Sequence, residues 1–259
     1  VLVSAVPSQV VRVVLDKFPS EWKKSVVSVS KGIENNTGMR MSQVIIETLH
    51  LTTEEIVILS GPSHAEEVSQ KYPTTVVAAC ADINHARDVQ KLFSNDYFRV
   101  YSGNDVIGVE IGGAAKNIIA LAAGICHGLG YGDNTMAALV TRGLEEIIRL
   151  GTTLGAERAT FSGLSGMGDL IVTAFSPHSR NRQVGERIGK GEKLSDILAG
   201  MEMVAEGVET ARSIHGLTQN NNIEMPICEQ IYKVLFENIS PRHAILELMG
   251  RELVDEHSV

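Results

Sequence analysis

Two lysines, an aspartate and an arginine–asparagine pair are the residues of this chain whose types and settings suit chemistry. Lys116 stands in Gly112-Gly113-Ala114-Ala115-Lys116-Asn117, ahead of an almost unbroken apolar run. An ammonium there is out of place, because burying one costs several kcal/mol unless something pairs with it. Upstream lies Ser30-Lys31-Gly32-Ile33-Glu34; downstream lie Gly168-Asp169-Leu170 and His178-Ser179-Arg180-Asn181-Arg182. Two ammonium groups and a carboxylate can manage a proton and negative charge at a carbonyl oxygen. An Arg/Asn pair can clamp a phosphate. The chemistry these types imply is reduction or oxidation of a small phosphorylated carbonyl compound.

Each residue also has a plainer reading. On a helical wheel Lys116 shares a face with Ala120, Ala123 and His127, small neighbours that leave room for a ligand or another backbone. Equally, it is a lysine that snorkels to the surface at a helix start. Asp169 ends the Gly-rich turn Ser165-Gly166-Met167-Gly168-Asp169. It suits either a partner for Lys116 or a helix N-cap, and local sequence favours the cap. Ser179 is placed as an N-cap, so the N–H groups behind it, with Arg180 and Asn181, would face an anion. The plain alternative is a solvated basic helix start pairing with Glu186. Lys31 and the Gly61-Pro62-Ser63-His64-Ala65 turn each follow a predicted strand, where ligands gather in open α/β sheets.

The elements that must position these groups fall into two blocks. Strands are predicted at 1–6, 25–30, 55–60, 74–79 and 98–102, alternating with helices that run to Leu15, over 41–49 and over 85–95. That alternation implies a mostly parallel α/β sheet. From there on the segments 113–130, 134–154, 179–189, 193–199, 207–219, 226–236 and 241–248 all read as helices, with Gly or Pro between them. The expectation is a partial Rossmann-type α/β unit over 1–105, then an all-helical unit over 106–259. No GxGxxG turn precedes a helix in the α/β part, and the chain opens directly on an apolar strand. A first βαβ unit of roughly 30 residues is therefore expected to be missing, and with it dinucleotide binding by this polypeptide alone.

Composition narrows the function classes. The net charge of −8 and the scarcity of aromatics argue against a nucleic-acid partner. Cys80, Cys126 and Cys228 lack CxxC spacing and read as reduced thiols of a cytoplasmic protein, with no disulfide frame or zinc site. No His pair has metal-ligand spacing, so no metal is expected. No apolar run is expected to span a bilayer, 117–126 being the densest.

The motifs together resemble the bacterial-type NAD(P)-dependent glycerol-3-phosphate dehydrogenases. The stretches that carry the resemblance are VLVSAVPSQ, SKGIE, SGPSHAEEV, VEIGGAAKNIIALAAG, FSGLSGMGDLIVTAFSPHSRNR, VAEGVETA and MPICEQIY. The resemblance implies a 6-phosphogluconate-dehydrogenase-like helical unit behind the sheet, and NAD or NADP as cofactor. It implies interconversion of dihydroxyacetone phosphate and sn-glycerol 3-phosphate for glycerophospholipid synthesis. It assigns Lys116 as the catalytic lysine, and Lys31, Gly61, Ser63, Asp169, Ser179, Arg180 and Asn181 as substrate contacts. Cofactor contacts are implied at Lys31, Ala65, Arg180, Val204 and Glu206. A homodimer is compatible with the family. The competing reading is a truncated helical module that binds phosphate or dimerises without catalysis.

Overall fold

The computed structural model describes residues 1–19, 25–201 and 204–256; residues 257–259, the end of the expected helical unit, lie outside these. Five strands form one sheet in sequential order: β1 (Leu2–Ser4), β2 (Val26–Ser28), β3 (Ile56–Ser60), β4 (Thr74–Ala79) and β5 (Phe98–Gly103). β1, β2 and β3 are parallel, β3 and β4 antiparallel, and β4 and β5 parallel. The sheet is thus mostly parallel, with one reversal between its two parts.

β3 is buried along its whole length because both faces are covered, which explains its unbroken apolar run. Ile56 and Ile58 pack with Val26 against α1 (Val11–Leu15) and α2 (Met41–Leu49). Val57 and Leu59 point the other way, with Val27 and Val76, onto α4 (Ile83–Phe93). The first three strands share a direction, so their carboxyl ends lie on one side. From that side emerge the Pro7-Ser8 turn, Ser30-Lys31, and Gly61-Pro62-Ser63 leading into the short α3 (Ala65–Ser69).

Among the described residues every regular element after β5 is helical. α5 (Val106–Gly128) is the axis, surrounded by α6 (Asp133–Thr153), α7 (Asp169–Phe175), α8 (Arg180–Gly189), α9 (Leu194–Ala199), α10 (Glu206–Asn221), α11 (Pro226–Phe236) and α12 (Pro241–Met249). α5 begins seven residues earlier than the sequence suggests. Asp105 caps it, accepting from Gly108 N at 2.8 Å, and the same carboxylate holds Thr160 Oγ1 at 2.6 Å. Lys116 therefore lies in the helix interior, and the snorkelling alternative, which needs a helix start, falls.

α5 also corrects the expectation about apolar length. By length and composition it is long and apolar enough to cross a bilayer, yet 89% of that apolar window is buried inside the protein. It is the central helix of a helical core, wrapped by its neighbours.

α8 crosses α5 at unusually close range. A Cβ on Gly124 would lie 2.0 Å from the Arg182 carbonyl oxygen, and one on Gly185 would lie 2.1 Å from that of Leu121. Only glycine permits this approach, which brings the amino end of α8 alongside the part of α5 that carries Lys116 and Asn117.

Candidate active site

Lys116 is 5% exposed and extends into a pocket of charge. Its Nζ donates to the Asp169 carboxylate and, at 2.8 Å, to Thr173 Oγ1. The other carboxylate oxygen of Asp169 accepts from Lys31 Nζ at 2.7 Å, and Lys31 also donates to the Gly61 carbonyl at 3.2 Å. Thr173 completes the cluster by donating to the Asp169 backbone carbonyl at 2.6 Å. One buried carboxylate thus sits between two ammonium groups, with each of its oxygens holding a different lysine.

Backbone packing explains the glycines around Lys116. The segment Leu164–Gly168 winds as a single π-helical turn into α7 and presents Asp169 as the first residue of that helix. A Cβ on Gly112 would stand 2.6 Å from the Ser165 carbonyl, so glycine lets this turn lie against α5 one helical turn before Lys116. Gly113 faces Ser60 Oγ and the Lys31 stem, where a Cβ would meet them at 2.9 Å and 3.6 Å. The local N-cap reading of Asp169 gives way: Gly168 holds the cap position, and the carboxylate goes to the lysines.

The electrostatics follow from burial. Desolvation pulls the Lys116 ammonium down from 10.5 to about 7; Asp169 opposes the shift and Lys31 adds to it. Burial acts to raise the Asp169 carboxyl, but Lys116 and Lys31 outweigh it and hold the group below its ordinary value. Asp169 is therefore an anion at neutral pH beside a lysine poised to exchange its proton.

A second group gathers where α8 and α10 begin. Ser179 caps α8 as its position suggests, accepting from Arg182 N at 3.2 Å. The pairing with Glu186 that the plain reading expects is made by Arg182, at 3.9 Å, and leaves Arg180 to other partners. Arg180 is exposed and donates from Nη1 to the Val204 carbonyl at 3.1 Å. Asn181 is buried and employed as a clip: its Nδ2 donates to Asn117 Oδ1 at 3.0 Å, and its Oδ1 accepts from Gly207 N at 2.8 Å. Glu206 reaches back to the sheet, accepting from Ser8 N at 3.2 Å and Ser8 Oγ at 2.6 Å. Burial raises its carboxyl against those two bonds.

Lys116, Lys31, Asp169 and Gly61 thus form one bonded cluster, which Ser63 joins by donating from Oγ to the Gly61 carbonyl at 3.0 Å. Arg180, Val204 and Glu206 form a neighbouring group, with Ser179 and Asn181 beneath it. Ala65 is exposed at the start of α3, and no described hydrogen bond ties its side to either group. Sequence reading missed Thr173. The signal was there in Asp169-x-x-x-Thr173, a spacing that places both side chains on one helix face.

A mostly parallel α/β sheet whose strand ends meet a helical unit, with a lysine–aspartate–lysine cluster at the junction, defines the two-part architecture of a nicotinamide-dependent dehydrogenase. Comparisons narrow it. Residues 1–86 match the family model for the NAD-dependent glycerol-3-phosphate dehydrogenase N-terminus, and residues 105–246 match that for its C-terminus. The glycerol-3-phosphate dehydrogenase [NAD(P)+] of Lysinibacillus sphaericus is 54% identical over 253 residues, covering 96% of this chain and 75% of that protein. The enzyme of the same name from Listeria innocua is 52% identical over 255 residues, covering 97% of this chain and 75% of that protein. The crystal structure of the glycerol-3-phosphate dehydrogenase of Coxiella burnetii superposes with a TM-score of 0.91 at 34% identity, covering 96% of this chain and 76% of that one. The chain belongs to the NAD-dependent glycerol-3-phosphate dehydrogenase family.

Proposed function

We propose that the enzyme to which this sequence belongs catalyses the reversible reduction of dihydroxyacetone phosphate to sn-glycerol 3-phosphate with NADH or NADPH, in the cytoplasm, for phospholipid synthesis. The observation that carries this reading is the buried Lys116–Asp169–Lys31 cluster. The bound nicotinamide would supply or take the hydride at the substrate carbon. Lys116, with its ammonium brought down to about 7, gives its proton to the carbonyl oxygen in reduction and takes it back in oxidation. Asp169 remains ionised and fixes the direction of both lysines. Lys31 keeps a second positive charge beside the oxygen as negative charge develops there.

Arg180 and the N–H groups at the start of α8 are the phosphate anchor. Binding energy spent on the phosphate orients the distant carbonyl. Ser179 and Asn181 support that anchor by capping α8 and tying it to α5 and α10. The residues that would hold the cofactor are Lys31, Ala65, Arg180, Val204 and Glu206. Their fit rests on the exposed Arg180 fork beside the Val204 carbonyl, and on Glu206 at the Ser8 turn beyond β1, the side of an open sheet where dinucleotides lie.

The test is steady-state reduction by the full-length protein, comparing dihydroxyacetone phosphate with dihydroxyacetone, in the parent and in Arg180→Lys. The parent should use the phosphorylated ketone far better. The variant should raise KM for it by about tenfold, the cost of about 1.4 kcal/mol of lost fork geometry. Equal damage to both substrates would move Arg180 out of the phosphate anchor. No turnover of dihydroxyacetone phosphate by the parent would overturn the proposal.

A further inference from the structure

One polar atom beside the cluster has no task in the scheme above. His64 follows Ser63 directly, on the turn whose Gly61 carbonyl holds Lys31. Its Nε2 is buried and has no hydrogen-bond partner, whereas buried ring nitrogens in folded proteins are normally satisfied. The charges of Lys116 and Asp169 both act on the imidazole. Its centroid is 6.1 Å from that of His178, the residue just before the α8 cap. His64 therefore borders the reacting cluster on one side and the approach to the phosphate anchor on the other.

The ring's hydrogen-bonding character follows from its neighbours. Burial lowers its affinity for a proton, and the nearby Lys116 charge lowers it further, so the imidazole is neutral at physiological pH. A neutral ring carries one N–H. Its other nitrogen carries a lone pair. Nε2, buried without a partner, suits a hydroxyl in either tautomer, because a hydroxyl can donate to the lone pair or accept from the N–H. Dihydroxyacetone phosphate has one hydroxyl, at the end opposite its phosphate.

We propose that His64 Nε2 forms a hydrogen bond with the terminal hydroxyl of the substrate, and that this residue makes the enzyme select a hydroxymethyl ketone phosphate over its methyl counterpart. This rests on the proposed function and adds a specificity-determining residue to it. A site whose buried polar atom is left unpaired by the wrong substrate discriminates well, by a factor that rises with its burial. At a partly exposed ring the expected preference is roughly 10- to 100-fold in kcat/KM.

The experiment compares dihydroxyacetone phosphate with hydroxyacetone phosphate, which lacks only that hydroxyl, in the parent, His64→Phe and His64→Gln. Phenylalanine keeps the ring without its nitrogens; glutamine returns a polar atom near the position of Nε2. The parent should prefer the hydroxylated ketone by the stated factor. In His64→Phe the ratio should fall to within about threefold of unity, chiefly through a higher KM for dihydroxyacetone phosphate. His64→Gln should recover part of the ratio. Calorimetric titration of sn-glycerol 3-phosphate against its 1-deoxy analogue should show the same loss in binding.

A parent that handles both ketones equally overturns the inference while leaving the proposed reaction intact. So does a His64→Phe variant that loses both substrates in proportion, or a His64→Gln variant no better than Phe. If the Phe variant fails to fold, His64→Leu takes its place in the comparison: a ratio near unity supports the contact, and a ratio equal to the parent's with unchanged calorimetry refutes it. A parent inactive on dihydroxyacetone phosphate removes both this inference and the proposed function.

Discussion

Replacing Lys116 with methionine tests the central claim that a buried lysine of lowered proton affinity is the proton carrier. Methionine keeps the length and apolar stem and removes the charge. Loss of a proton-transfer group should cost roughly 10²–10⁴-fold in kcat. The pH dependence is the sharper measurement. Because Lys116 titrates at about 7, kcat/KM for reduction should fall tenfold per pH unit above that value. The value for oxidation should rise with pH and level off above it. Stability carries a second signature. The folded state releases the proton at about 7 and the unfolded chain near 10.5. Between those values the unfolded chain binds the proton that the folded one does not, so stability rises with pH; below about 7 the full penalty stands. Each unit is worth about 1.4 kcal/mol. From pH 7 to pH 9 the parent should therefore gain about 2–3 kcal/mol over Lys116→Met in urea melts. In the variant Asp169 keeps Lys31 as its ammonium partner, so its carboxyl should add little slope in that window. Activity within about threefold of the parent, or stability curves that run parallel in pH, would refute the reasoning.

Gly185→Ala places a Cβ 2.1 Å from the Leu121 carbonyl and should push α8 off α5. A loss of about 1–3 kcal/mol is expected, with a raised KM for the phosphorylated substrate, read by melting and initial rates. Gly216→Ala, on the exposed side of α10 with nothing within 4 Å of the added Cβ, should instead stabilise by about 0.5–1 kcal/mol. Equal melting shifts in the two variants would discredit the close α5–α8 crossing. Asn181→Ala leaves Gly207 N and Asn117 Oδ1 unpaired in a buried place, at about 1–3 kcal/mol. An unchanged melting curve with a raised KM would make Asn181 a substrate contact and not a clip.

Sequence alone determined the regular elements wherever the signal is local. Met41–Leu49, Thr74–Ala79 and Pro226–Phe236 fall where apolar periodicity and end signals put them, because period and capping are properties of neighbouring residues. It also singled out Lys116, Lys31, Asp169 and Arg180 by residue type. It misjudged the start of α5, because Gly112 and Gly113 look like a turn when their carbonyl and side-chain neighbours are out of view. Tertiary structure alone decided which charges meet. Asp169 is 53 residues from Lys116 and 138 from Lys31, and Glu206 is 198 from Ser8. No local preference encodes such pairings; they arise when glycine-faced helices and turns close to backbone distance. The lowered proton affinity of Lys116 has the same origin, since desolvation depends on everything packed around a residue and not on the residues beside it in the chain.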